Sequence, residues 1–71
     1  MADDVRQRFG RRLRGLRLRQ CLTQVELAER LGIDRSYLAD IERGNRNVSL
    51  VNLEIIAKGF NLTLGRLLAG V

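Results

Sequence analysis

The stretch that decides the fold is TQVELAERLGIDRSYLADIERG, residues 23–44. It predicts two short helices joined by a tight turn. The pattern Thr23-x-x-Glu26 is a capping box, which begins a helix, and Gly32 is a typical residue for ending one. Asp34 follows at once and is placed to cap the next helix. So short a link cannot bring the second helix back antiparallel, so the two helices must cross at a steep angle.

That crossing needs particular residues. Ala28 supplies a small side chain where the two axes approach, and Gly44 ends the second helix. Five apolar anchors fix the angle: Leu27, Leu31, Ile33, Leu38 and Ile41. The stretch therefore predicts a helix-turn-helix at about residues 23–44.

Three further helices flank this unit. The first covers about residues 3–20, is capped by Asp3 or Asp4, and aligns one face that consists of Val5, Phe9, Leu13, Leu16 and Gln20. A polar loop at 45–47 precedes the C-terminal helices, within about 49–69. Ser49 begins one, with Leu50, Leu53, Ile56 and Ala57, and Thr63 begins the other, with Leu64, Leu67 and Leu68. No segment predicts a strand, so the expected class is all-α with five helices.

Composition sets outer limits. The chain has 71 residues, 13 Lys and Arg against 8 Asp and Glu, one Cys, and no His, Pro or Trp. This length suits one small domain with a modest core, which a second copy often completes. One Cys allows no internal disulfide, and zinc sites made of Cys and His are excluded. With no signal-peptide pattern and no run of about 20 apolar residues, we expect a cytoplasmic protein without a membrane partner.

The net charge of +5 lies entirely in residues 1–20, which hold seven Arg and two Asp. A basic helix suits a polyanion such as nucleic acid or an anionic membrane, or it is simply a solvated face. The membrane reading is poor because the apolar side of this helix is needed for the core. Nucleic acid and plain solvation remain the two alternatives from charge alone.

Two runs carry a family resemblance: LTQxELAxxLGI at residues 22–33, and YLxxIERG at 37–44. Together they resemble the Cro/C1-type (XRE) helix-turn-helix family of phage repressors and small bacterial regulators, over about residues 9–69. Asp34–Tyr37 with Ile41–Asn47 resembles most closely the controller proteins of restriction-modification systems. The resemblance implies a five-helix lambda-repressor-like domain spanning 1–71, with helices 2 and 3 as the helix-turn-helix. It also implies a homodimer on a palindromic double-stranded operator, with RNA polymerase a further candidate partner and no cofactor.

In such proteins the second helix of the motif enters the major groove with its N-terminal residues at the base edges. Arg35 suits bidentate donation to guanine; alternatively it is solvated and pairs with Asp34 or Glu42. Ser36 can serve a base edge or a phosphate, or its own first turn. Both are expected base contacts.

Four more positions are expected at the bases. Tyr37 should face outward or sideways, although packing beneath the helix is the competing account. Asp40 can accept from cytosine N4 or merely orient Arg35. Ala39 leaves room for a thymine methyl. Arg46 resembles a residue that acts at the centre of the controller site, where it can read a deformable step.

Phosphate contacts are expected from both sides of the motif. Thr23 and Gln24 lie at the start of the first helix of the motif, which is the second helix of the chain. They resemble the pair with which the family clamps a phosphate, and helix N-termini favour such binding. The alternative for Gln24 is an exposed first-turn residue. Arg43 and Asn47 follow the recognition helix along the DNA backbone, or are solvated loop residues.

Arg17 carries a separate hypothesis. Family members often place this Arg against the Glu at position 42, which aims the guanidinium at a phosphate, and we expect the pair to be partly buried. Cys21 departs from the family pattern, because Gly usually stands at this position, where positive φ is needed. A strained structural thiol is the expectation; a redox-reactive thiol near Arg17 and Arg19 is the alternative.

The C-terminal region is more apolar than a small fifth helix can bury. We therefore expect a dimer interface made of Phe60, Leu62, Leu64, Leu67, Leu68 and Val71, or else closure of the chain's own core. An antitoxin or phage-type repressor that mainly binds a partner protein is the alternative function. Catalysis is not expected, because the sequence offers no His, no paired carboxylates and no glycine-rich phosphate loop.

Overall fold

Each helix begins after a short polar residue. A computed structural model, which describes residues 4–71, contains five helices in chain order: α1 Val5–Arg19, α2 Gln24–Leu31, α3 Arg35–Glu42, α4 Leu50–Gly59 and α5 Leu64–Leu67. There is no strand within 4–71. The all-α class with five helices is therefore confirmed.

The helix starts follow the expected caps with one exception. Thr23 and Glu26 form the predicted capping box, with Glu26 N donating to Thr23 Oγ1 at 3.0 Å and Thr23 N donating to Glu26 Oε1 at 2.8 Å. Asp4 caps α1 in the same way, while Asp3 lies outside the described residues. Asp34 occupies the cap position of α3 but caps no backbone N–H. Its carboxylate instead accepts from Ser36 Oγ at 2.9 Å.

Four helix ends share one geometry. A residue in the left-handed region follows α1, α2, α3 and α4, and the residue after it donates its N–H five positions back, as in a Schellman motif. Gly32 (φ 70°) and Gly44 (φ 80°) serve α2 and α3, and Asn61 (φ 61°) serves α4. At the end of α1 the residue is Cys21, with φ 57°. The expected positive φ at Cys21 is confirmed.

One hydrophobic core joins all five helices. Its buried members are Phe9, Leu13, Leu27, Ala28, Leu31, Leu38, Ile41, Ile56, Ala57, Phe60 and Leu67. On α1 the buried line runs Phe9, Leu13, Arg17, so Val5 and Gln20 are exposed, contrary to the expected face. A stripe at spacing four rotates slowly around a helix, so the ends of the expected stripe leave the core. Of the four apolar residues expected on α4, Leu50 lies on the outer side and is 71% exposed.

Helix α1 crosses the end of α3 at very close range. A Cβ on Gly10 would lie 2.6 Å from the carbonyl oxygens of Ile41 and Glu42. Only glycine allows this approach. The close approach fixes the C-terminal end of α3 against α1.

Two arginines of the basic helix are structural. Arg8 Nε donates to the Val71 carbonyl at 2.9 Å, and Arg12 donates to the carbonyls of Leu67 (3.0 Å) and Arg66 (2.7 Å). The Arg66 and Leu67 carbonyls lie at the end of α5, where cations are favoured by the helix dipole, and the Val71 carbonyl lies four residues beyond it. Part of the basic stripe therefore fastens α1 to the C-terminal helix.

Candidate nucleic-acid interface

The N-termini of α2 and α3 lie side by side. Arg35, the first residue of α3, is exposed, and its Nη1 donates to Oε1 of Gln24, the first residue of α2, at 3.3 Å. Each helix start carries first-turn backbone N–H groups and the positive end of a helix dipole, and the two starts are adjacent. The pairing of Arg35 with Asp34 or Glu42, considered from the sequence, is replaced by pairing with Gln24.

Behind this pair lies a buried ion pair. Arg17 Nε donates to Glu42 Oε2 at 2.7 Å, Arg17 Nη2 donates to Glu42 Oε1 at 3.0 Å, and the two side chains are 10% and 4% exposed. The hydrogen bonds to Glu42 raise the pKa of Arg17 above its ordinary value. The expected Arg17–Glu42 pair is thus present and is more buried than expected.

This ion pair also holds the interface in place. Gln24 Nε2 donates to Glu42 Oε1 at 3.1 Å, so the Gln24 amide bridges Glu42 and Arg35. Arg17 Nη1 donates to the Leu22 carbonyl at 2.9 Å. A continuous set of polar contacts therefore runs from α1 through α3 and α2 to the exposed guanidinium. The role of Arg17 as a phosphate contact stays a prediction.

The capping box organises the adjoining end of α2. Backbone hydrogen bonding from Thr23 lowers the pKa of Glu26, so this carboxylate is held charged. The hydroxyl oxygen of Thr23 is already an acceptor for the Glu26 amide. Thr23 can still donate its own hydrogen to a phosphate at the helix start, which is the geometry that its predicted contact needs.

A second polar cluster lies further along α3. Asp40 accepts from Arg43 and pairs with Arg46, whose Nε is 3.5 Å from Asp40 Oδ2. Arg46 also lies over the Tyr37 ring, 5.2 Å from its centroid, at cation–π distance. Tyr37 is half-buried and packs against the core while its hydroxyl reaches α4. The packing of Tyr37 against the core is therefore observed, while its contact with DNA stays a prediction.

Two interface expectations need revision. Ala39 is 5% exposed, so its methyl is buried and is not available to a base. Ala39 is buried although it lies four residues after the exposed Arg35 and so near the same face of α3, which means that neighbouring parts of the fold cover its small side chain. Asp40 binds Arg43 and Arg46, not Arg35.

Asn47 is exposed beside an apolar groove between the start of α1, the loop after α3 and the end of α5. The groove has a volume of about 420 Å³ and its apolar lining includes Phe9, Val48, Leu53 and Leu68.

Asn52, on α4, was not singled out from the sequence. Its Nδ2 donates to Tyr37 Oη at 3.0 Å, a contact between residues 15 positions apart that no local pattern announces.

The expected dimer patch is partly internal. Phe60 and Leu67 are buried in the core of one chain, so they do not form an exposed contact. Leu62, Leu64 and Leu68 are half-exposed. More exposed apolar side chains lie instead on the α4 apolar face, made of Leu50, Val51 (68% exposed) and Ile55.

Comparison with known proteins agrees with this geometry. A family model described as Helix-turn-helix (HTH_3) matches residues 13–67. The chain belongs to this helix-turn-helix family. Its relatives include the control protein C.MunI from Mycoplasma sp, which is 43% identical over 70 residues, or 97% of this chain and 95% of that protein.

Solved structures give the same assignment. The restriction-modification controller protein C.AhdI from Aeromonas hydrophila is 46% identical, with a TM-score of 0.82 over 89% of this chain and 94% of that chain. SinR, a master regulator for biofilm formation solved in complex with DNA, is 33% identical, with a TM-score of 0.77 over 84% and 97% of the two chains.

The protein is thus a DNA-binding helix-turn-helix regulator of the Cro/C1 type, and this family consists of regulators and not of enzymes. Across residues 4–71 no helix is long and apolar enough to cross a membrane. In the same part of the chain no group of three or more His, Cys, Asp or Glu side chains is arranged to hold a metal ion.

Proposed function

We propose that this regulator reads a palindromic double-stranded operator as a homodimer and acts as a restriction-modification controller in the cytoplasm. The observation that carries the proposal is the junction of two helix N-termini, where Gln24 of α2 holds Arg35 of α3 at the surface. The high similarity to C.MunI and C.AhdI supports the controller role.

The proposed division of labour follows the geometry. Arg35 donates to a guanine, because its guanidinium is exposed and already oriented by Gln24. Ser36, Tyr37 and Arg46 contact further base edges. Asp40 acts through Arg46, since their side chains are paired.

Phosphate contacts are proposed on both sides of these base contacts. Thr23 and Gln24 lie at the start of α2, where backbone N–H groups and the dipole favour a phosphate. Arg43 and Asn47 are exposed after α3 and serve the adjoining backbone. Arg17 supports Gln24 through Glu42. Three of its N–H groups already donate within the protein, so it has few donors left for DNA.

The homodimer is proposed to form through the α4 apolar face together with the half-exposed Leu64 and Leu68. An exposed apolar surface of this kind marks an interaction site on a small protein. Two-fold pairing would double the base contacts that one recognition helix supplies and requires half-sites about 34–36 Å apart or a multiple of that distance. The whole of residues 1–71 would then be one DNA-binding domain, with RNA polymerase as a further partner at the promoter.

The test is selection of duplexes from a randomised library by the wild-type protein, followed by titration of the selected duplex and of a scrambled duplex of equal length. We expect a two-fold symmetric consensus and binding at least about 10³-fold tighter than to the scrambled duplex, at one fixed salt concentration. A library without enrichment, or an asymmetric consensus bound by a single chain, would overturn the proposal.

A further inference from the structure

Tyr37 is held from two sides by residues outside the recognition helix. Asn52 Nδ2 donates to the phenol oxygen at 3.0 Å, and the Arg46 guanidinium lies over the ring. Asn52 is itself fixed at the start of α4, because its backbone N–H donates to Ser49 Oγ at 3.1 Å. Both Tyr37 and Asn52 are half-buried, so the contact is sheltered from water.

The direction of this hydrogen bond has a chemical consequence. A phenol oxygen carries one hydrogen and accepts through its lone pairs. Because Asn52 donates to that oxygen, the Tyr37 hydrogen is left for an acceptor other than Asn52. Within residues 4–71 the phenol donates to no protein acceptor. Asn52 therefore leaves the Tyr37 hydrogen available to an acceptor outside the protein.

DNA offers the matching chemistry. Phosphate oxygens, purine N7, guanine O6 and thymine O4 are all acceptors. We propose that Asn52 is a positioning residue, which fixes the Tyr37 phenol as a hydrogen-bond donor to an acceptor atom of the operator. The proposal rests on the proposed DNA-binding function. It adds that a residue of α4 sets the hydrogen-bonding direction of a residue in α3.

The first measurement needs no DNA. Side-chain amide signals of asparagine are observed by nuclear magnetic resonance, and we expect Tyr37→Phe to shift the Asn52 amide pair because it removes the acceptor oxygen. Ser36→Ala, a change of similar size on the exposed side of α3, should leave that pair in place. An unshifted Asn52 amide in Tyr37→Phe would overturn the proposal.

The second measurement is a double-mutant cycle on the selected and scrambled duplexes. Tyr37→Phe should weaken binding of the selected duplex about tenfold, and Asn52→Leu about three- to tenfold. In the Tyr37→Phe background, Asn52→Leu should change affinity by less than about twofold, because it acts through the phenol. If Asn52→Leu weakens binding as much in the Tyr37→Phe background as in the wild type, Asn52 acts independently of the phenol, and the proposal is wrong.

Asn52→Asp reverses the hydrogen bond, because a carboxylate can only accept and would take the phenol hydrogen. We expect a loss at least as large as that of Asn52→Leu, after subtracting the effect of the added charge measured in the Tyr37→Phe background. If the loss occurs only on the selected duplex, the acceptor is a base edge; if it is equal on both duplexes, the acceptor is a phosphate. If Asn52→Asp weakens binding no more in the wild-type background than in the Tyr37→Phe background, the proposal is wrong.

Failure of the proposed function and failure of the positioning role of Asn52 give different results. A wild-type protein that selects no duplex removes sequence-specific binding altogether, and the positioning role falls with it. A wild-type protein that selects an operator, but shows no coupling between positions 37 and 52, removes only the positioning role. Thermal unfolding of each variant identifies any that fail to fold; if Asn52→Leu fails, Asn52→Ala takes its place in the cycle, since it also removes the amide donor.

Discussion

Arg17 and Glu42 form a doubly hydrogen-bonded ion pair within the fold, with distances of 2.7 and 3.0 Å, which ties α1 to the last residue of the recognition helix. Gln24 shares the same carboxylate and passes the constraint to Arg35. The side chain that is proposed to read a base is thus positioned by a pair that DNA need not touch.

Glu42→Ala should lower the free energy of unfolding by about 3 kcal/mol, because it leaves the Arg17 guanidinium buried without its partner. Urea unfolding measures the change. Glu29→Ala, an exposed acid on α2, is the matched control and should stay within about 0.5 kcal/mol of wild type. The double change Arg17→Met with Glu42→Leu should recover most of the loss. A Glu42→Ala protein within about 0.5 kcal/mol of wild type would refute the pairing.

Two glycines of α1 should respond in opposite directions to alanine. Gly15→Ala meets no atom within 4 Å and should stabilise the protein by up to about 1 kcal/mol through helix propensity. Gly10→Ala should destabilise it, because its methyl would collide with the Ile41 and Glu42 carbonyls at 2.6 Å. The thermal midpoints of both variants check this. A stabilised Gly10→Ala protein would show that α1 and α3 are not in such close contact.

Four residues with positive φ follow helices α1 to α4, and Cys21 is the one that is poorly suited to this conformation. Cys21→Asn should raise the free energy of unfolding by up to about 1 kcal/mol, since Asn tolerates the left-handed region, as Asn61 already does at φ 61°. Asn61→Ala is the converse control and should destabilise by a similar amount. The measurement is chemical unfolding under reducing conditions, and a destabilised Cys21→Asn protein would contradict the strain argument.

The α4 apolar face predicts the oligomeric state. Val51→Glu places a charge in the centre of that face and should give a monomer at concentrations where the wild type sediments as a dimer. Val25→Glu, at an exposed valine of α2 outside the α4 apolar face, is the control and should leave the dimer intact. A dimer that survives Val51→Glu, or a wild-type monomer at micromolar concentration both free and on DNA, would exclude this interface.

The helices were predictable because their signals are local. The capping box at Thr23, the left-handed residues at Gly32 and Gly44, and the strain at Cys21 all depend on a few neighbouring residues. These short-range rules placed the start of the recognition helix correctly, and therefore also the exposed Arg35.

What failed depended on contacts distant in the chain. Ala39 and Phe60 are buried because other helices cover them, and no spacing rule states which apolar face is covered. Arg12 looked like part of a solvated stripe until α5 supplied its carbonyl acceptors, 54 and 55 residues away. Asn52 escaped attention for the same reason.

The central claim is that a neutral part of the chain reads sequence while the basic helix supplies general attraction. The measurement is the ratio of affinities for the selected and scrambled duplexes, compared between Arg35→Ala and Arg14→Ala. Arg35→Ala should reduce that ratio about tenfold or more. Arg14→Ala should weaken both duplexes alike and make the salt dependence shallower. An Arg35→Ala protein that keeps the wild-type ratio would contradict the account.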